Sequence, residues 1–207
     1  MKKLYVTILC VILVGFLGYN AIYFKKLSEV SKPGSTSAFD FTAYADSLYY
    51  QGIMKSSVPI PLSQLMDNYD HNVDSAFAKY GNRLGIGNTA FFMVSDSGKV
   101  LDKTEEGFKV QASDGSILYL QTKFLFGNAI RDASKLVKLT DFKNNKEFNK
   151  VSEALNTLIR EKVLPKQSGE VQKGSNIWFR GAIKLSKKSK LEQIIYPIEI
   201  KSGKALK

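Results

Sequence analysis

The sequence is poor in the residues on which most small-protein chemistry depends. Among 207 residues there is one cysteine, Cys10, one histidine, His71, and one tryptophan, Trp178. A lone cysteine excludes an intrachain disulfide and any cage of thiolates around a metal. The chain must therefore be held by an ordinary hydrophobic core, without staples. A single histidine excludes the HExxH zinc helix, and neither a GxSxG nucleophile elbow nor a P-loop occurs. The paired carboxylates Glu105 and Glu106 sit in a polar turn, where nothing raises a pKa for acid–base work. Acidic residues are also scarce, 19 against 30 Lys and Arg, for a net charge of +11. The imbalance is local. Residues 37–80 carry five Asp and two Lys, whereas residues 184–207 carry seven Lys and two Glu. A basic surface suits anionic lipid, acidic glycan or nucleic acid; equally, it is what a solvated lysine-rich face looks like.

Charge is missing altogether from Leu4 to Phe24, a run of 21 residues. At about 1.5 Å per residue it spans roughly 30 Å, the thickness of a bilayer's hydrocarbon core. Lys2, Lys3, Lys25 and Lys26 flank it, and Tyr5, Tyr19 and Tyr23 lie near its ends, where aromatic rings favour the interface. A cleavable signal has a shorter apolar core and small residues at the cut. Here Tyr19-Asn20 precede Ala21, and Phe16-Leu17 precede Gly18. Cys10 follows bulky Leu9 in the middle of the run, a poor setting for lipid attachment. The expectation is an uncleaved single-pass anchor over residues 1–24. The flanking lysines tie and set no orientation.

Residues 25–38, with Pro33-Gly34, read as a polar linker. Phe41, Tyr44, Ala45, Leu48 and Tyr49 recur at helical spacing, which predicts a helix over 39–52. Leu62, Leu65, Met66, Tyr69, Val73, Ala76, Phe77 and Tyr80 predict one longer helix that stops at Gly81. The pattern then changes to strands. TAFFMVSDSGKV reads as a strand ending in a turn, and Asp114-Gly115 as a type I′ hairpin turn between two extended runs. KFLF continues as a strand to Phe126, followed by a turn at Gly127-Asn128. Asn144 with Glu147 resembles a capping box, opening a helix that buries Phe148, Val151, Leu155, Leu158 and Ile159. Two strands close the chain. In the first, Trp178, Arg180 and Ala182 face away from Ile177, Phe179, Gly181 and Ile183. In the second, Ile194, Tyr196, Ile198 and Ile200 share a face, and Pro197 marks an edge or bulge. The lysine-rich turn SKKSK joins them. The expected fold class is α+β: a transmembrane helix, a small helical part over 39–84, and an OB-like, five-stranded, partly open barrel with an added helix over 85–204.

Several stretches carry a family resemblance: FDFTAYADSLY, FAKYGNRLGIGNTAFFMVSDSGKV, GNAIRDASKLVKLTDFKNNKEFNKVSEALN, FRGAIKL and IIYPIEIK. In this order they resemble an uncharacterised bacterial family of predicted exported lipoproteins, domain of unknown function 2291. The resemblance covers most of residues 39–200, and its most specific part is IRDA…DF…N…V…LN. It implies an OB-like α/β domain with a smaller helical part, export of the body, and frequent encoding beside sugar ABC transporters. It implies no activity.

Four constellations remain as candidates for chemistry. Asp67, Asp70, His71 and Asp74 would project from one side of a helix, but four ligands on one exposed helix seldom enclose an ion, so no metal is expected. Gly85-Ile86-Gly87 lacks the third glycine of a dinucleotide loop and reads as a connection. Arg131 beside Asp132 could clamp sugar hydroxyls or a carboxylate, or could pin a loop through backbone carbonyls. Trp178 next to Arg180 could stack a sugar or a base, or could pack beneath the N-terminal helices. If there is a ligand site, the expectation falls on Arg131, Asp132, Trp178 and Arg180. The function expected is a membrane-anchored extracytoplasmic binding or accessory protein, non-enzymatic and without a cofactor. Its partners would be the membrane through residues 4–24, ABC transporter components and a small sugar. An anionic-polymer or nucleic-acid binder and a ligand-free envelope scaffold are the competing readings.

Overall fold

Helices come first along the chain, and strands that each serve two neighbours then roll one sheet into a barrel. The computed structural model describes residues 39–83, 87–188 and 194–203. The expected anchor (1–24) and linker (25–38) lie outside these residues. So do Gly85 and Ile86 of the glycine-rich stretch, and Ser189 and Lys190 of the lysine-rich turn. Among the described residues, no helix is long and apolar enough to cross a membrane.

Helix α1 (Phe41–Ser47) runs through a π turn (Leu48–Ile53) into the short α2 (Met54–Ser56). Strand β1 (Ile60–Pro61) leads into α3 (Leu62–His71) and α4 (Val73–Tyr80). The single helix expected over 62–80 is broken at Asn72. That residue is extended (φ −159°, ψ 96°), and its side-chain oxygen accepts the Ser75 N–H at 2.9 Å. The asparagine side chain competes successfully with the helix ladder and caps α4 instead. The apolar stripe survives the break: Leu62, Leu65, Ala76 and Phe77 are all buried.

Strands β2 (Thr89–Lys103), β3 (Gly107–Ala112) and β4 (Ile117–Gln121) form a meander. Helices α5 (Ala129–Ser134) and α6 (Asn145–Leu158), a second π turn (Ile159–Val163) and α7 (Leu164–Ser168) follow. Strands β5 (Asn176–Ser186) and β6 (Ile194–Ser202) complete the sheet. Its order is β1-β2-β3-β4-β6-β5, with β5 pairing back onto β2. That last pairing runs from Thr89 opposite Ser186 to Lys99 opposite Asn176 and closes five strands into a barrel, where a partly open one was expected. Length permits closure: β2 is long enough to pair with β5 along most of its course and with β3 at its far end, and a bulge after Val100 helps it turn.

Three local expectations are corrected. The turn expected at the end of TAFFMVSDSGKV is strand, which runs on to Lys103. A Cβ on Gly98 would lie 2.4 Å from the Gln111 carbonyl oxygen, so glycine here lets two backbones approach rather than reverse. The hairpin at Asp114-Gly115 is a three-residue loop, not type I′. Only Gly115 has positive φ (84°); the Gly115 N–H bonds the Ala112 carbonyl, and Asp114 accepts from the Ser116 N–H at 2.9 Å. Strand β4 stops at Gln121 rather than reaching Phe126. The N–H groups of Thr122 and Lys123 both turn to the Glu106 carbonyl, which leaves Phe124 and Phe126 exposed.

The cap of α6 is as expected. Asn144 Oδ1 accepts the Glu147 N–H at 3.0 Å, while the Glu147 carboxylate accepts the Lys143 N–H at 3.1 Å. In β6 the core-facing set differs from the expected alternation. Ile195 opposes Ile183 and Pro197 opposes Gly181; then the register slips and Ile200 opposes Phe179. Ile198 is the unpaired bulge residue, beside Pro197, and the slip reverses the parity beyond it. The core holds Phe92, Val94, Val110, Leu118, Phe179, Ile183 and Ile195, all essentially inaccessible, and Phe77 packs edge-on against Phe92 at 5.2 Å.

Candidate functional site

The four residues singled out in the sequence occupy two separate places. On the outer face of β5, Arg180 is only 6% exposed. Its Nη2 donates to the Ile53 carbonyl at 3.0 Å, where the first π turn ends, and its Nη1 lies 4.0 Å from Met54 Sδ. Glu199 faces it across the β5–β6 ladder. Burial lowers the Arg180 pKa, and Glu199 offsets part of that shift. This is the packed arrangement, beneath the N-terminal helices, and it corrects the expected pairing of Trp178 with Arg180 as a stacking platform. The cation over the half-exposed Trp178 ring is instead Lys201, at 4.7 Å, which also bridges to Glu199 at 3.0 Å. Nearby, Tyr49 donates its hydroxyl to the carbonyl of the bulge residue Ile198 at 2.8 Å. Desolvation, and after it the Glu199 charge, hold the Tyr49 pKa above the ordinary phenol range.

Arg131 and Asp132 lie on α5 and are 2% and 1% exposed. Arg131 Nε donates to Asp132 Oδ1 at 2.7 Å, and its Nη1 donates to the Phe148 carbonyl at 2.9 Å. The guanidinium stacks on the Phe148 ring at 3.4 Å. Asp132 also accepts from the Asn128 side chain, and its backbone carbonyl accepts from Asn82 at 2.7 Å. Burial raises the Asp132 pKa, against the pull of Arg131 and Asn128. Every bond of this pair is internal. It pins the loop before α5 to α6, the structural alternative weighed for it above.

That loop is one wall of a groove the sequence did not announce. Residues Leu125–Asn128 face the α6 side chains Asn149, Ser152 and Asn156, and Arg160 of the π turn that follows, across a cavity of about 460 Å³. Asn156 is 5% exposed and donates Nδ2 to the Gly127 carbonyl at 2.9 Å; its Oδ1 accepts nothing from a described residue. Ser152 is 6% exposed, and its buried hydroxyl has no hydrogen-bond partner. Phe126, 65% exposed, stands at the rim, with the Arg160 guanidinium 5.9 Å from its ring. Arg160 is already engaged by Glu161 at 3.0 Å and reaches Thr157 Oγ1 at 3.4 Å. The groove thus offers neutral amide and hydroxyl groups, an aromatic rim, a cation whose charge is spoken for and one carboxylate, Glu153. One signal for it was legible: Ser152 and Asn156 sit beside the apolar stripe of α6, where aliphatic residues would be expected. The loop wall was hidden because Phe124 and Phe126 read as strand.

The acidic set near His71 is not assembled. Asp67 and His71 pair on α3, 3.4 Å apart, but the break at Asn72 carries Asp74 onto α4, where it pairs with Lys187. Among the described residues no group of three or more His, Cys, Asp or Glu comes together as a metal site.

No curated protein matches the chain. A solved structure does: a crystal structure of an OB-fold protein from Thermotoga maritima, 23% identical, with a TM-score of 0.69 over 80% of this chain and 99% of that one. The likeness shows the fold, and it agrees with the closed five-stranded barrel described above. The family profile described as "Predicted periplasmic lipoprotein (DUF2291)" matches residues 12–201, nearly the whole sequence. The chain belongs to this family of predicted periplasmic lipoproteins, DUF2291.

Proposed function

We propose that the protein is an extracytoplasmic, membrane-attached binding protein that holds a small uncharged polar ligand in the groove between the Leu125–Asn128 loop and α6. The role is binding rather than catalysis. The observation that carries it is the Ser152 hydroxyl, buried at the groove without a partner. A buried polar group left unpaired is costly; the Ser152 hydroxyl shows almost no surface of its own, so a ligand hydroxyl would relieve that cost by moving the groove wall slightly to reach it. Asn156 Oδ1 supplies a second acceptor, and Phe126 a face for the ligand's C–H groups. Arg131 and Asp132 act through the wall they fasten. A small sugar fits this chemistry, and the encoding beside sugar ABC transporters that the family resemblance implies would make an accessory role in carbohydrate uptake its setting. Attachment runs through residues 4–24, as a single span or through a lipid on Cys10. The intact mass of the membrane-extracted chain separates these two.

The test is calorimetric titration of the full chain in detergent with a panel of neutral mono- and disaccharides, repeated on Ser152→Ala. The expected result is binding that weakens about tenfold in the variant, the equivalent of one hydrogen bond, with thermal stability unchanged or raised. A panel without a binder, or a binder indifferent to Ser152→Ala, sinks the reading. A second reading keeps one observation in its favour. Lys201 over Trp178 and Lys109 over Tyr119 place paired cations and rings on the outside of the barrel, an arrangement suited to an anionic polymer. Affinity that falls steeply with salt would mark it.

A further inference from the structure

Lys135 is the one non-glycine among the described residues with a positive φ (61°, ψ 9°). It closes α5, at the position where helices most often place glycine, because a Cβ there crowds the backbone. A side chain kept in that conformation points to a task for the side chain itself. Lys135 lines a cavity of about 380 Å³, distinct from the groove, together with Lys79, Ser56 and Ser57. Among the described residues no carboxylate lines this cavity and neither lysine forms an ion pair; the Lys79 ammonium lies 5.0 Å from the ring of Tyr80, which also lines it. The Ser56 and Ser57 side-chain hydroxyls make no hydrogen bond to a described residue. Met93 and Leu136 supply an apolar wall. Partial burial lowers the Lys135 pKa, as befits a cation without a counter-charge.

We propose that this cavity binds a phosphate group, carried by a small molecule or a lipid headgroup, between the ammonium groups of Lys79 and Lys135, with Ser56 and Ser57 donating their hydroxyls. The two ammonium groups are point charges without a fixed planar fork, and with two hydroxyl donors beside them they can meet the several oxygens of a tetrahedral phosphate from different directions. The apolar wall leaves room for the organic part of the ligand.

The experiment is thermal unfolding of the full chain in detergent, titrated with inorganic phosphate against chloride at matched ionic strength. Wild type should gain roughly 3–6 °C at ten times Kd. Lys135→Gly keeps the left-handed turn and removes the ammonium. It should unfold at the same or a higher temperature and lose the phosphate response. Lys79→Gln should fold normally and bind about tenfold more weakly. A lysine serving only as a helix cap gives the opposite pattern: Lys135→Gly still responding as wild type does. That result, a Lys79→Gln variant of unchanged affinity, or a wild type responding to phosphate no more than to chloride overturns the site. Repeating the titration in bilayer discs separates the sources. Phosphatidylglycerol abolishing the phosphate response of wild type, where a zwitterionic lipid does not, identifies a headgroup; no competition, with the phosphate response intact, identifies a soluble phosphorylated molecule.

Discussion

Replacing Arg131 by alanine should be among the most damaging single changes in the barrel domain, and its cost should depend on pH. The substitution removes the donor to Asp132 at 2.7 Å, the donor to the Phe148 carbonyl at 2.9 Å and the cation stacked on Phe148. Asp132 is then left 1% exposed with the Asn128 amide as its remaining side-chain partner. Removing one member of a buried ion pair typically costs about 3–5 kcal/mol, because the other charge stays behind uncompensated. The sign of the pH effect follows. Burial already raises the Asp132 pKa above its value in the unfolded chain, and Arg131 pulls it back. Without Arg131 the folded pKa climbs further, so the folded state takes up a proton more readily than the unfolded one. The variant is therefore least destabilised at acidic pH, where Asp132 is neutral, and most destabilised once pH has risen through the folded pKa. Urea unfolding of wild type and Arg131→Ala at pH 7 and near pH 4 measures both effects. A loss under about 1 kcal/mol at pH 7, or an equal loss at both pH values, would refute the account of α5 as a buried electrostatic clamp. Adding Asp132→Asn to the variant should recover part of the loss at pH 7, since no charge is then stranded.

Two further substitutions test the barrel. Tyr49→Phe deprives the carbonyl of the bulge residue Ile198 of a buried donor, and should cost about 1–2 kcal/mol by chemical denaturation. In wild type, the unfolded phenol ionises near its usual pKa of about 10 while the folded one resists, so stability present below that pH is lost as pH rises above it; Tyr49→Phe should flatten this alkaline decline. Gly98→Ala places a methyl 2.4 Å from the Gln111 carbonyl oxygen and 2.6 Å from Val110 Cγ1, and should cost about 2–3 kcal/mol in the same assay, whereas a tolerated alanine would mean that β2 and β3 can separate there.

The residue pattern made the barrel legible but not the details that give it a site. Hydrophobic periodicity was enough for α6, whose Asn144 cap and buried stripe appear as expected, because that signal is local. It failed wherever a backbone defect resets the count. The bulge at Ile198 reverses the parity of β6, and Asn72 splits a helix whose apolar stripe continues across the break. Gly98 reads as a turn to any local rule, and only the approach of β3 makes it strand. Arg131 and Asp132 were found for a sound reason, since paired charges attract attention, yet no local pattern distinguishes a clamp closed on a ligand from one closed on the protein. Ser152 was legible only as a polar residue beside the apolar stripe of α6; that its hydroxyl is buried without a described partner depends on surroundings the sequence does not display. Lys135 was equally ordinary until its backbone angles were in view.

The pairing of β2 with β5 has a consequence for the order of events when the chain is made. Strands β2, β3 and β4 can form as soon as residue 121 has emerged, but β2 keeps one free edge until residues 176–186 arrive. Loop-closure entropy of that kind slows folding, and an unpaired strand edge invites association with other chains. The helical insertion between β4 and β5 sets how long the edge stays open. A protein of this topology is best kept away from its neighbours until its last strands are delivered, so its yield on expression should depend more on chaperone supply than its final stability would suggest.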